Sequence, residues 1–358
     1  MNKDNFFSTA KGIGIILMVM GHCGIPWGIE KIIYQFHMPL FFFCSGFFLK
    51  DIKDGGALQK VFWKRFNGLY LKFIIWSLLF LSLHNVFIHL NIYNDAIPYW
   101  AEYPYNVHQF INKTLKIVFS MNGHEQLVRS FWFFKQLFLA SILAPTILYI
   151  TNRVTNHKHS HLIVLIGLFA MTIISKYYNW AFPAIWDLSL VFMSSTFYIS
   201  GFIFKKYCLL SKLNNATCSI ICFTCLIIGV YVLPWTNMLE YTYKTTIPYF
   251  IVAFSGTIFT MNVAQHFETN KFKHVLYYIG QNTMVIFALH MLCFKIGNLL
   301  KIVIYGFPTY RLAEFQIIKD NNAFFWVIYT IIGITIPLLF DYLMKQSKYT
   351  KRVWNLFV

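Results

Sequence analysis

The 358-residue chain has thirty Lys and Arg against thirteen Asp and Glu, a formal net charge of +17, yet only 12% of its residues are charged and 58% are hydrophobic. That balance leaves too little polar surface for a water-soluble fold of this size, and it excludes one. The basic residues lie in short loops between apolar runs and form no stripe interleaved with stacking aromatics, so nucleic-acid binding is excluded as the meaning of the charge.

Apolar runs of about 20 residues, the length that crosses roughly 30 Å of hydrocarbon, recur from end to end. They predict an all-α integral membrane protein whose ten spans fall at 8–25, 33–49, 69–90, 131–150, 161–176, 185–204, 217–234, 247–264, 277–296 and 323–344. No stretch between them could build a second core, so residues 1–358 read as a single membrane domain. The N-terminus does not read as a cleavable signal, because Lys11 interrupts the run and no small-residue cleavage site follows.

The first span contains Lys11 and His22. Eleven residues at about 100° each make three turns plus about 20°, which puts both side chains on one face, roughly 16 Å apart along the axis. Ionisable groups within a span are costly and usually face a partner or a water-filled cavity, so the shared stripe suggests a polar channel. Taken singly, Lys11 could snorkel to the interface and His22 could be a satisfied histidine near the surface. The second span carries His37 and then Pro39, which predicts a kink, and Ser45-Gly46, small enough for close helix contact.

Two outer loops are longer than simple connections need. Segment 91–130 holds Pro98-Tyr99-Trp100, Tyr103-Pro104-Tyr105 and Asn122-Gly123-His124-Glu125; segment 297–322 holds Tyr305, Pro308, Tyr310 and Arg311. Their aromatics suit either an interfacial belt or a lid that stacks on a sugar. The seven cysteines lie mostly within or beside the runs, an odd count without a loop framework, which argues against disulfide scaffolding. Cys218, Cys222 and Cys225 share one face of an apolar helix, and no metal is predicted.

With the N-terminus inside, the inner segments carry 17 basic residues, Lys158 among them, and the outer segments 9; the other four, Lys11, Lys72, Lys135 and Lys295, fall in or at the edge of spans. The positive-inside bias therefore predicts two cytoplasmic termini.

Three motifs in order now resemble one family. A basic residue, ten intervening residues and a histidine are met by Lys11 and His22. A Phe-His-Met-Pro-Leu-Phe-Phe-Phe…Ser-Gly stretch occupies 36–46, and Gly280-Gln281-Asn282-Thr283-Met284-Val285-Ile286-Phe287-Ala288-Leu289-His290 comes late. With Trp132-Phe133-Phe134 at mid-chain, the whole is similar to the membrane acyltransferase type 3 family of O-acyltransferases. There are departures: the family usually has arginine where Lys11 stands. A second arginine often follows the one matching Arg65 by three residues, where this chain has Gly68. Lys64 or Lys72 is the candidate to supply that charge. The extracytoplasmic hydrolase-like domain that some members carry is also missing from the sequence.

The resemblance implies transfer of an acetyl group from cytoplasmic acetyl-CoA to a hydroxyl of an extracytoplasmic or lipid-linked sugar. The protein would sit as a multi-pass chain in a bacterial inner or plasma membrane. Such transfer needs a base and an oxyanion stabiliser. The family's matching histidine is taken as catalytic, which implies that role for His22, with His37 assisting. Lys11, Lys64 and Arg65 at the inner mouth would meet the CoA phosphates. His290 is either a further site residue or a structural hydrogen bond. Succinyl transfer within the same family and export of a polysaccharide or lipid-linked sugar are the competing functions. A transporter should show paired broken helices in two related halves, and no such symmetry is present in the sequence.

Overall fold

The computed structural model describes residues 3–155, 159–182, 187–269, 271–320 and 324–358. Lys158 and the first residues of the spans predicted to start at 185 and 323 lie outside the described residues. The described residues form helices and turns, with no strand among them. In chain order the helices are α1 (Lys3–Gly21), α2 (Trp27–Phe47), α3 (Gly55–Arg65), α4 (Leu71–His89), α5 (Val107–Ser120), α6 (Trp132–Thr155), α7 (Ser160–Tyr177), α8 (Leu188–Lys206), α9 (Leu209–Leu213), α10 (Ala216–Val232), α11 (Thr246–Phe267), α12 (Lys273–Gln281), α13 (Thr283–Tyr305), α14 (Phe325–Gln346) and α15 (Lys348–Trp354).

Each of the ten predicted spans falls on helix, but not all with the predicted bounds. Among the described residues seven helices are long and apolar enough to cross a membrane: Gly55–His89, Gln126–Thr155, Ser160–Tyr177, Leu188–Lys206, Thr246–Phe267, Thr283–Tyr305 and Phe325–Gln346. Phe6–Gly21 and Ala216–Val232 are apolar but shorter. α2, with Glu30 and Lys31 in its first turns, falls outside both groups. The predicted span 277–296 is broken: α12 ends at Gln281 and α13 begins at Thr283, with Asn282 between them. The loop predicted at 91–130 contains a helix, α5, started by a capping box in which Asn106 and Gln109 satisfy each other's backbone N–H. Val107, Ile111, Leu115 and Phe119 stand exposed at four-residue intervals along α5, a stripe suited to lying in the membrane interface.

The chain divides into two compact units, each assembled from separated segments. The first comprises Met1–Met18, Gly28–Leu69 and Gln136–Gln281. One of its closest helix contacts is the one Ser45-Gly46 predicts: a Cβ at Gly46 would lie 1.7 Å from the Tyr198 carbonyl oxygen, and one at Gly201 would lie 2.0 Å from that of Phe43. Only glycine on both α2 and α8 lets the two backbones approach this far. Lys31, buried near the start of α2, donates to the carbonyls of Val230 (2.5 Å) and Leu233 (2.7 Å), satisfying backbone left over where α10 ends.

The second unit comprises Val19–Trp27, Tyr70–Lys135 and Asn282–Val358. α13 packs along α14, where the ring of Tyr329 occupies the space a side chain at Gly297 would need. The C-terminal segment is tied to α4: Lys72 Nζ donates to the carbonyls of Asn355 (2.8 Å), Leu356 (2.9 Å) and Val358 (2.7 Å), and Trp76 Nε1 to that of Phe357 (3.0 Å). Lys72 is thus engaged with backbone rather than standing in for the charge missing at Gly68. Buried Asp341 on α14 accepts from Trp354 Nε1 (2.8 Å) and Lys345 Nζ (2.7 Å), which fixes α15.

Candidate active site

The first span was predicted to run to residue 25, but α1 ends at Gly21 and His22 lies in the turn that follows. Its N–H and that of Cys23 reach back three residues, to Val19 (3.0 Å) and Met20 (3.0 Å), the tightened form in which helices often end. Gly24 then takes φ +73, and a Cβ there would meet Ile317 at 2.8 Å. The left-handed conformation favours glycine there. The turn leaves the His22 ring half-buried, at a helix end instead of inside the hydrocarbon run.

Gln316 and His290 both meet that ring. The Gln316 side-chain amide donates from Nε2 to His22 Nδ1 at 3.0 Å. The His290 ring stacks against it with centroids 5.6 Å apart and planes 24° apart. His290, on α13, is fully buried. Its Nδ1 faces the carbonyl oxygens of Ile286 (3.1 Å) and Phe287 (2.9 Å), which only accept, so Nδ1 carries hydrogen. The remaining nitrogen, Nε2, is buried with no hydrogen-bond partner in the described structure. The late family-like segment therefore delivers a second histidine to the first, and the backbone sets its tautomer. Of the two, only His22 has exposed surface through which a substrate could reach it.

Gln316 belongs to the segment after α13, and three side chains of that helix hold its backbone. Lys295 Nζ donates to the carbonyls of Leu312 (3.0 Å) and Glu314 (2.8 Å). Asn298 donates to Leu312 O (3.3 Å) and accepts from Ile318 N–H (3.1 Å) and Tyr329 O–H (2.6 Å). Lys301 Nζ donates to Ile318 O (2.9 Å) and Asp320 (2.7 Å). All three are buried, and desolvation of the two ammonium groups is offset by these carbonyl and carboxylate acceptors. Sequence reasoning missed Gln316 and Asn298. The available signal was Lys295, an ionisable group inside an apolar run, with two more polar residues at three-residue steps after it.

The other long loop, segment 91–130, belongs to the same unit. Trp100 stacks on Phe315 (centroids 4.0 Å, 18°), and the Arg129 guanidinium lies over the Trp100 ring at 4.9 Å. Behind it, His84 is held between Glu125 (Nδ1 to Oε2, 2.8 Å) and the Tyr103 carbonyl (Nε2 to O, 3.0 Å). Both ring nitrogens face acceptors, so the ring is an imidazolium paired with a carboxylate, each side chain 1% exposed. Tyr105 stacks on that ring at 3.5 Å, and Lys113 lies over Tyr105 at 4.3 Å. Burial, then the neighbouring Glu125, push the Glu102 carboxyl above its ordinary range against the lowering effect of its Gln126 hydrogen bond. Burial, then Lys113 and Lys116, push His124 down to about 4. Trp100 and Tyr105 of segment 91–130 are thus packed into a polar network, whereas Tyr99 and Tyr103 stand exposed.

The remaining predicted site residues belong to the first unit, whereas His22 belongs to the second. Lys11 is half-buried on α1. Arg65 donates to the Tyr198 hydroxyl (3.1 Å) and lies 5.8 Å from that ring, and Lys64 is exposed. Gly68 sits exposed in the π-helical turn Phe66–Tyr70. His37 is 4% exposed, its Nδ1 bonded to the Ile33 carbonyl one turn earlier (2.8 Å). Among the described residues no group of three or more His, Cys, Asp or Glu side chains is placed to hold a metal ion.

The long apolar helices among the described residues define a multi-pass membrane protein, and His22 is held in the turn after the shorter apolar helix α1. A family model described as an acyltransferase domain matches residues 4–342. The chain belongs to that family, the membrane acyltransferase type 3 family, and is a membrane acyltransferase. No curated protein and no solved structure gave a significant match.

Proposed function

We propose that the protein is an O-acyltransferase that moves an acetyl group from cytoplasmic acetyl-CoA to a hydroxyl of an extracytoplasmic or lipid-linked sugar, with His22 as general base. The observation that carries this reading is the His22 site: a half-buried imidazole at the end of α1, its Nδ1 held by Gln316 at 3.0 Å and its face stacked on His290. Family membership supplies the acyl chemistry. Histidine suits the base because its ordinary pKa, about 6.5, lies near working pH. His22 takes the proton of the sugar hydroxyl as the oxygen bonds to the thioester carbonyl carbon. The carbon–sulfur bond then breaks and the departing thiolate takes the proton back, leaving an ester and free CoA. His37, bonded to its own helix, suits a supporting role.

In this reading residues 1–358 act as one catalytic domain with ten spans and two cytoplasmic termini, in a bacterial inner or plasma membrane. The loop charges of 17 inside and 9 outside support the orientation. Reporter fusions at Val358 and near Tyr103 are expected to lie on opposite sides of the membrane; reporters on the same side would overturn the topology.

Lys11 and Arg65, with Lys64 as the weaker third, are the proposed contacts for the CoA phosphates. Neutralising a phosphate contact weakens donor binding and leaves the fold intact. Lys11→Gln is therefore expected to raise the acetyl-CoA concentration needed for half-maximal turnover, and Lys11→Arg to keep substantial activity. An unchanged half-saturation in Lys11→Gln would remove Lys11 from the donor site. The overall reading is tested by mass analysis of surface glycans from cells with and without the protein. Loss of an acetyl mass supports it, loss of a succinyl mass redirects it to the other donor, and unaltered acylation contradicts it.

A further inference from the structure

We infer that Gln316 is the positioning residue of His22, selecting through its side-chain amide which ring nitrogen of the histidine carries the lone pair that takes a proton. The inference deepens the reading of His22 as general base and rests on it. An amide presents a donor at one end and an acceptor at the other. With Nε2 toward the ring, 3.0 Å from Nδ1, the neutral imidazole accepts there and holds its own proton on Nε2. With the amide turned half a revolution about its last bond, Oε1 takes the same place and accepts from Nδ1–H. Nε2 then carries the lone pair that takes the proton of the sugar hydroxyl.

In that second arrangement the reaction balances. Nε2 takes the hydroxyl proton as the sugar oxygen bonds to the thioester carbon. The imidazolium holds its Nδ1–H on Gln316 Oε1 while the carbon–sulfur bond breaks. The Nε2 proton passes to the thiolate, and the ring returns neutral with its proton on Nδ1. An uncharged partner allows this cycle without locking the ring in its protonated form, as a carboxylate would.

The segment around Gln316 is built to hold it. Gln316 itself has φ +62, a left-handed conformation that residues with a Cβ adopt where their surroundings over-determine it. On one side Lys295 and Asn298 fix the carbonyls of Leu312 and Glu314, and on the other Asn298 and Lys301 fix both backbone groups of Ile318. Phe315 is clamped in the stack with Trp100, and Ile317 is seated against Gly24, two residues beyond His22. Two buried lysines in a membrane helix thus serve to fix the backbone on either side of one glutamine. The other titratable groups on these elements are engaged elsewhere. Lys295 is on backbone carbonyls, Glu314 is paired with Arg311 and the Lys319 N–H, Cys23 donates to Val19 O, and His290 commits Nδ1 to its own helix. Cys293 is buried one turn along α13 from His290.

The test measures label transfer from acetyl-CoA to the endogenous acceptor in permeabilised membranes holding full-length wild type, Gln316→Leu, Gln316→Glu or His22→Ala, from pH 5 to 9. Gln316→Leu is expected to lose about 10–100-fold in maximal rate, the usual cost of removing an orienting partner, with half-saturation by acetyl-CoA unchanged. Gln316→Glu, nearly the same shape, is expected to stay active with the acid limb of its pH–rate profile moved up by about one unit or more, because a carboxylate favours the protonated ring. A Gln316→Leu protein at wild-type rate overturns the inference. So does an equal loss in both glutamine variants, or a Gln316→Glu profile with the wild-type acid limb. In each of those cases an inactive His22→Ala leaves the general base standing, whereas an active His22→Ala overturns that reading itself.

Discussion

Replacing His22 with alanine is expected to lower O-acylation by about 10²–10⁴-fold, below detection in most assays, the usual cost of losing a positioned general base. The protein should still insert at normal levels and bind acetyl-CoA, because His22 is half-buried in a turn and the proposed donor contacts lie at Lys11, Lys64 and Arg65. Removing the ring also leaves Gln316 without its imidazole partner and uncovers one face of His290, so a modest loss of thermal stability should accompany the loss of rate. His37→Ala is expected to cost less, since that ring is bonded to the Ile33 carbonyl of its own helix and is buried. Expression, insertion and acylation measured side by side separate the two effects. Near-normal acylation by His22→Ala would move the exporter reading ahead of the enzyme.

Glu125→Ala is expected to be the most destabilising single change in the two long loops, 91–130 and 297–322. His84 and Glu125 are both 1% exposed and 2.8 Å apart, and the second ring nitrogen of His84 also faces an acceptor, Tyr103 O, at 3.0 Å. Removing the carboxylate leaves a buried imidazolium without its counter-charge, a change that typically costs about 3–5 kcal/mol. The Tyr105 ring stacked on His84 and the Lys113 ammonium above it lose their anchor together. Thermal unfolding in detergent, followed by size-exclusion fluorescence, should show a large drop in midpoint for Glu125→Ala and a smaller one for Glu125→Gln, whose amide oxygen still accepts. An unchanged midpoint for Glu125→Ala would mean that the pair does not hold segment 91–130 in place.

Much of the fold was legible because hydrocarbon imposes its thickness on the sequence. All ten apolar runs fall on helix, although among the described residues seven of those helices meet the length and apolarity of a span. What hydropathy could not see was where a helix stops within an apolar run. α1 ends at Gly21 because Gly24 adopts a left-handed turn against Ile317, a partner nearly three hundred residues away. The break at Asn282 has no proline to announce it. α5 did have a local signal, the Asn106…Gln109 capping box, which the aromatic content of its loop obscured.

The site was legible in part, for the same reason. His22 was marked by an ionisable side chain in an apolar run and by its spacing from Lys11. Lys295 carried the same mark, but its purpose depended on which carbonyls the following segment would bring to it. Gln316 carried no mark: it is neutral, lies in a loop, and gains meaning only from the ring it meets 294 positions earlier. Pairings over that distance are products of the whole fold.

In the proposed reaction an acetyl group passes from a cytoplasmic thioester directly to a sugar hydroxyl that His22 deprotonates. This transfer is tested most directly in sealed inverted vesicles, whose outer surface is the cytoplasmic one, by adding acetyl-CoA labelled in its acetyl carbon. Vesicles containing the wild-type protein are expected to accumulate label in luminal or lipid-linked saccharide, released by mild alkali as acetate, and vesicles containing His22→Ala at equal abundance to accumulate none. Label in saccharide at the same rate in both, or none in either while the wild-type cells carry acetylated glycans, would contradict the account.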